Sequence, residues 1–240
     1  MANKDLDLHS RVEGVREPQL PLVPIQFSLE EIKQHFDQTL LSIENEYAIA
    51  DNLLSVGKNE DAKTVWRSQI IFLEGLLDFY IHEISKYGLY SMFCGKWDKS
   101  EKYTSVRIPM SVVEAAFVND ESKKCFFDYL NECFSRQVFL AAESMRDQLN
   151  LIGIGFGDTM HKAFSKSTSN ESQQYGAKIV EELYKRRNLI AHQNDREHAS
   201  AKQNTITKEF VEEAGNNIVA IVNAIHSIAL EKDEMNKGLL

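Results

Sequence analysis

Arg187, Asn188 and His192 stand close together in a single run, Arg186-Arg187-Asn188-Leu189-Ile190-Ala191-His192. If that run is helical, Asn188 and His192 are four residues apart and share a face. The long side chain of Arg187 can swing toward the same cleft. Together they offer a fixed cation, an amide and an imidazole, the side chain that titrates near neutrality. That set suits RNA cleavage by in-line attack of a ribose 2′-OH on its own phosphate. Such a step needs a proton acceptor or donor, which an imidazole provides, and charge stabilisation on the phosphorane, which a guanidinium provides bidentately. No metal is required, and the nucleophile belongs to the substrate. Taken alone, an Arg-Asn-x-x-x-His helix end is more often structural, because basic side chains complement the helix dipole and Asn or His terminates the helix.

Glu74 and Asp78 form a second constellation, four residues apart on an apolar helical stretch. Acids in a buried stripe need partners. One of them could orient His192 or Arg187; the plainer reading pairs them with Arg67 or a lysine, or places them on a solvated face. His82, one turn further on, is a weaker candidate. Gly153-x-Gly155-x-Gly157 lacks the spacing of a nucleotide-binding loop and follows no strand, so it reads as a flexible hinge. His161 and Lys162 beyond it are candidate phosphate contacts only by residue type. His198 reads as a surface residue and His226 as a helix residue, and no histidine–carboxylate group has metal-ligand spacing on a common face.

Helices must position these groups. Ser28 reads as an N-cap, followed to about residue 55 by Ile32, Phe36, Leu40, Ile43, Tyr47 and Ala50 at three- and four-residue spacings. Gly57-Lys58-Asn59 is a turn. A long helix over 61–87 carries Ile70, Leu73, Leu77, Ile81 and Ile84, and is apolar nearly all round between residues 70 and 80, which predicts central burial. Residues 111–119 and 121–135 predict two shorter helices, the second capped by Asp120 or Ser122, and 137–151 predicts another. Ser165 to Ser172 reads as an exposed loop. Residues 171–191 then form a helix with Tyr175, Ile179, Leu183 and Ile190 inward. A polar loop spans 193–206, and Thr207 caps a last helix over 209–230. The sequence predicts an all-α bundle.

Composition agrees with that reading. In 240 residues, 43% are hydrophobic and only four are prolines. Three of these, Pro18, Pro21 and Pro24, fall in a charged stretch, 1–26, expected to be a flexible arm. A net charge of −9 argues against bulk electrostatic coating of nucleic acid, though not against a small local basic site. Cys94, Cys125 and Cys133 lack a metal or disulfide spacing and read as buried thiols of a reducing compartment. Neither a signal peptide nor a membrane span is recognisable, so a cytoplasmic protein is expected.

The run from Ile179 to His192 resembles the penultimate-helix signature of HEPN domains, in which Arg is followed after a few residues by His, commonly with Asn next to the Arg. Arg187, Asn188 and His192 match it. The likeness extends to the final apolar helix and to the long helix at 61–87, covering about residues 28–232, and among subgroups it is nearest the RiboL-PSP type. It implies a HEPN-like helical domain over 27–232 with a helical insertion at 88–170 and a C-terminal tail at 233–240. It also implies a metal-independent endoribonuclease without cofactor, working as a homodimer whose Arg and His face their copies across one composite cleft. Arg187 would bind phosphate, His192 transfer protons and Asn188 orient, with Arg186 as an alternative cation. Many members act as toxins or anti-phage effectors, which brings in an antitoxin or regulatory protein as a further partner. Other members are non-catalytic nucleotide-binding or protein-interaction modules, the alternative reading for this chain.

Overall fold

Ser28 opens the first helix with a reciprocal cap: its hydroxyl accepts the Glu31 N–H at 3.2 Å, and the Glu31 carboxylate accepts the Ser28 N–H at 2.7 Å. The computed structural model describes residues 26–119 and 122–236. Among these the helices are α1 (Leu29–Asn45), α2 (Tyr47–Ser55), α3 (Asn59–Phe93), α4 (Met110–Asn119), α5 (Ser122–Phe134), α6 (Ala142–Leu151), α7 (Phe156–Phe164), α8 (Ser169–Gln193) and α9 (Lys208–Asn236). A single isolated bridge, Arg196 to Gln203, is the extent of β pairing among the described residues. The fold is all-α, a HEPN-like helical bundle.

α3 is its axis. It packs against α1, α2, α5, α6, α8 and α9, and Ile70, Leu73, Leu77, Ile81 and Ile84 are at most 1% exposed. The prediction of burial all round fails on one strip: Phe72 and Phe79 are 50% and 43% exposed, and a Cβ added at Gly75 between them would meet nothing.

Several boundaries move for reasons that periodicity cannot carry. The first predicted helix breaks at Glu46, because the buried Gln69 side chain of α3 donates to the Ile43 carbonyl at 3.1 Å and enters the backbone ladder. α3 runs on to Phe93. α6 begins at Ala142, not residue 137, since the N–H of Phe139 is drawn to the Asp78 carboxylate at 2.8 Å. The glycine-rich break after α6 is no hinge: Ile152, Ile154 and Phe156 are at most 1% exposed, and Gly153 supplies a φ of +71° for a tight corner into α7. Thr168 caps α8 by accepting the Glu171 N–H at 3.1 Å, so the helix starts inside the predicted loop. Its inward line is Ser172, Gly176, Val180, Leu183 and Ile190, while Tyr175 is exposed and Ile179 half-buried. Thr207 accepts the Phe210 N–H at the start of α9, as predicted. α9 extends to Asn236, so 233–236 are helix and not tail. The three cysteines are free and half-buried rather than buried. The expected arm at 1–26, all but Gln26, and the Asp120 cap fall outside the described residues.

Candidate active site

The end of α8 is fixed by a residue the sequence does not advertise. Asn194 and Asp195 both take positive φ, 50° and 59°, and the Asp195 N–H returns to the Leu189 carbonyl at 2.9 Å, ending the helix with a left-handed cap. The Asp195 side chain is fully buried. Its Oδ2 accepts from Arg67 Nε at 2.8 Å and from Arg186 Nη2 at 2.9 Å, and its Oδ1 accepts from Asn204 Nδ2 at 3.2 Å. The same guanidiniums reach the far side of the loop, Arg67 to the Asn204 carbonyl at 2.9 Å and Arg186 to the Thr205 carbonyl at 2.7 Å. Burial lowers the Arg186 guanidinium, Asp195 raises it and Arg67 lowers it again; an arginine keeps its charge through such shifts. Arg186 therefore clamps the 194–205 loop to α3 and α8, and Arg67 pairs with Asp195 rather than with Glu74 or Asp78.

Arg187, the next residue, takes another direction. It lies four residues beyond the buried Leu183 and is itself half-buried. Its Nη1 donates to Asn188 Oδ1 at 3.0 Å, and its Nε is buried without a hydrogen-bond partner. Across from it, Glu74 of α3 is 1% exposed with Oε2 unpartnered. Burial pushes the Glu74 carboxyl up to about 8; Arg187 pulls it down, and Asp78 adds to the rise. Asp78, one turn along, accepts the Phe139 N–H and stands 3.6 Å from His82 Nε2. His192 is exposed on the last turn of α8, on the line of Asn188.

The helices thus bring together Arg187, Asn188 and Glu74, with Asp78 beside Glu74 and His192 at the open end. They leave other candidates elsewhere. His161 Nδ1 contacts Ser172 Oγ at 3.0 Å in the first turn of α8, and Lys162 pairs with Glu231 at 2.6 Å. From Ser172 to Arg187 is roughly 22 Å of helix. His198 is exposed in the loop. His226 is half-buried, lowered chiefly by burial and then by Lys33. Among the described residues, no group of three or more His, Cys, Asp or Glu side chains is placed to hold a metal ion. Chemically, the α8 end carries a guanidinium of restricted freedom and, at its last turn on the line of Asn188, an exposed imidazole; a guanidinium can grip a phosphate and an imidazole can move a proton. Sequence reasoning missed Asp195 and Asn204. The one local hint was an Asn-Asp pair at a helix end, where positive φ is tolerated.

A family model described as RiboL-PSP-HEPN matches residues 38–231. The chain belongs to this HEPN family. No match is found among curated proteins or among solved structures. Membership supports an RNase-like function and RNA binding in general terms.

Proposed function

We propose that the protein is an endoribonuclease that cuts RNA without a metal, by attack of a 2′-OH on the adjacent phosphate, in a cleft shared by two copies. The observation that carries this reading is the α8 end, where Arg187 is held by Asn188 and faces Glu74 while His192 stays exposed. Arg187 grips the phosphate and stabilises the phosphorane. His192 takes the 2′-hydroxyl proton or returns one to the leaving 5′-oxygen, and Asn188 orients the guanidinium. One copy offers a single imidazole, and the reaction has two proton transfers, so a second copy completes the set.

The open strip of α3 supports that pairing. Phe72, Gly75 and Phe79 share one face, and Glu74, Asp78 and Arg67 form the flank turned to α8. A two-fold axis lying in the plane of this face and crossing α3 at Gly75 sets Phe72 against the partner's Phe79, twice over. It runs the two α3 helices antiparallel and leaves both α8 helices on the same flank. Both copies of Arg187 then line one cleft, level with the axis because Glu74 adjoins Gly75. By its likeness to HEPN members that act as toxins or anti-phage effectors, the proposed role is that of a toxin or defence effector, with RNA as target and an antitoxin or regulatory protein as its restraint. The half-buried setting of Arg187 favours one alternative, a module that binds nucleotide or protein at this cleft without cutting.

The test is cleavage of RNA by purified protein in EDTA, scored for 2′,3′-cyclic phosphate ends. His192→Ala is expected to slow cleavage by about 10²–10⁴-fold, and Arg187→Ala by about 10²-fold or more. Growth arrest on expression should disappear with either substitution. Binding without cleavage in the wild type, or an unimpaired His192→Ala, establishes the non-catalytic alternative or another site.

A further inference from the structure

The loop between α8 and α9, polar throughout in the sequence, is built as a hairpin. Arg196 pairs with Gln203 in an antiparallel bridge. The Glu197 N–H donates to the Lys202 carbonyl at 3.0 Å, and Gln203 Nε2 donates to the Asn194 carbonyl at 3.1 Å. Its base is the buried Asp195 with Arg67, Arg186 and Asn204. The Arg196 N–H returns to the Gln193 carbonyl at 3.1 Å, so the hairpin starts against the last turn of α8, where His192 lies. Arg67 and Glu74 share the flank of α3 turned to α8, so about 10 Å of helix separates the hairpin base from the level of Glu74 and Arg187.

The charge of this stretch runs against that of the chain. Residues 185–208 hold six basic residues and two acidic ones, in a protein of net charge −9. Lys185 pairs with Glu181, Lys208 pairs with Asp51, and Arg186 shares Asp195 with Arg67. Arg196 and Lys202, both exposed on the hairpin, have no acid partner among the described residues. Arg196 Nη1 donates to the Ala201 carbonyl at 2.8 Å, which lays the guanidinium over the tip beside Lys202 and leaves most of its N–H donors open. Glu197 accepts from the Ser200 hydroxyl at 2.9 Å instead of from either cation. A backbone fixed in this way presents its charges at little cost in freedom. The tip, His198-Ala199-Ser200-Ala201, has no large apolar side chain to anchor a protein partner. A polyanion is what the surface suits. One phosphate contact adds only about fivefold to single-strand affinity at 0.1 M salt, so Arg187 needs help to hold a strand, and the acidic remainder of the chain repels one.

Building on the ribonuclease reading, we propose that the 194–205 hairpin is an RNA-backbone clamp beside the cleft, with Arg196 and Lys202 each binding a phosphate beyond the one held by Arg187. The test is binding of a fluorescent oligouridylate to the full chain in EDTA across a salt series, with His192→Ala in every sample so that the strand stays whole. Arg196→Gln with Lys202→Gln should flatten the slope of log affinity against log salt by about 1.4 and weaken binding at 0.1 M salt by about 20-fold. Lys202→Gln alone, which leaves the Arg196–Ala201 bond in place, should show about half that slope change and a loss of about fivefold. Lys96→Gln with Lys99→Gln, the same change of charge beyond the far end of α3, should leave the slope unaltered. With His192 restored, the hairpin variant should raise KM for RNA and keep kcat. Lowered binding in the hairpin variants with no cutting by the wild type upholds the clamp and removes the ribonuclease reading. Cutting by the wild type with an unchanged slope and KM in the hairpin variants overturns the clamp and leaves that reading standing. An oligouridylate that fails to bind when the hairpin is intact also overturns the clamp, and leaves the two cations to an acidic protein surface.

Discussion

Glu74 is a carboxyl that its surroundings keep protonated. Burial pushes it up to about 8, outweighing the pull of Arg187, so at neutral pH the acid is mostly uncharged and does not cancel the guanidinium proposed to bind phosphate. The cost appears in stability. Between pH about 4.5 and about 8 the folded chain holds a proton that the unfolded chain has released, so stability falls as pH rises through that window and is level beyond it. Glu74→Gln should remove this dependence. Its stability relative to wild type should grow with pH by on the order of 3–5 kcal/mol across the window, measured by urea unfolding at pH 5, 7 and 9. Parallel profiles for the two proteins would sink the assignment. At this scale the sequence was informative where groups were adjacent: Arg187, Asn188 and His192 could be picked out from one run. It was silent where partners were distant, since Asp195 meets Arg67 across 128 positions and no spacing rule spans such a gap.

α8 works as a device because both its ends are tied. Thr168 holds the first turn, and the buried Asp195 gathers Arg67, Arg186 and the loop to Thr205 at the last. Asp195→Ala leaves two guanidiniums facing each other without their anion and should destabilise the fold by about 3–5 kcal/mol, read from chemical denaturation. Because the loop then frees the helix end, cleavage should fall even under conditions where the protein stays folded. A loss below about 1 kcal/mol would show that the cluster is no clamp. Helix existence was legible from apolar spacing, notably for α1, α3, α8 and α9. Breaks were not: the interruption at Glu46 and the late start of α6 come from side chains of α3, Gln69 and Asp78, that capture backbone groups of other segments. The inward line of α8 was misread because Gly176, without a side chain, is where it presses on Met160 of α7.

For the whole molecule, association should follow the α3 strip. Phe72→Asp with Phe79→Asp places carboxylates against the partner's and is expected to convert a dimer to monomer in sedimentation, with cleavage lost while helicity is kept. An active monomer would show that one copy suffices; a variant that remains dimeric would place the contact elsewhere. Mixing Arg187→Ala with His192→Ala protein should restore part of the activity if the cleft draws on both copies. The all-α class and the family were legible in the sequence. The openness of the α3 strip was not, because its phenylalanines count as core residues in any pattern.

The hydrogen bond from the Phe139 N–H to Asp78 has a consequence for how this chain can change over time. The 88–170 region resembles an addition to a smaller frame, yet it places Met145, Leu149, Ile152, Ile154 and Met160 in the common core, all unexposed. It also closes the carboxylate next to Glu74. Removing it would strand that acid and empty the middle of the bundle. The region and the frame therefore have to be inherited, exchanged and engineered as one piece.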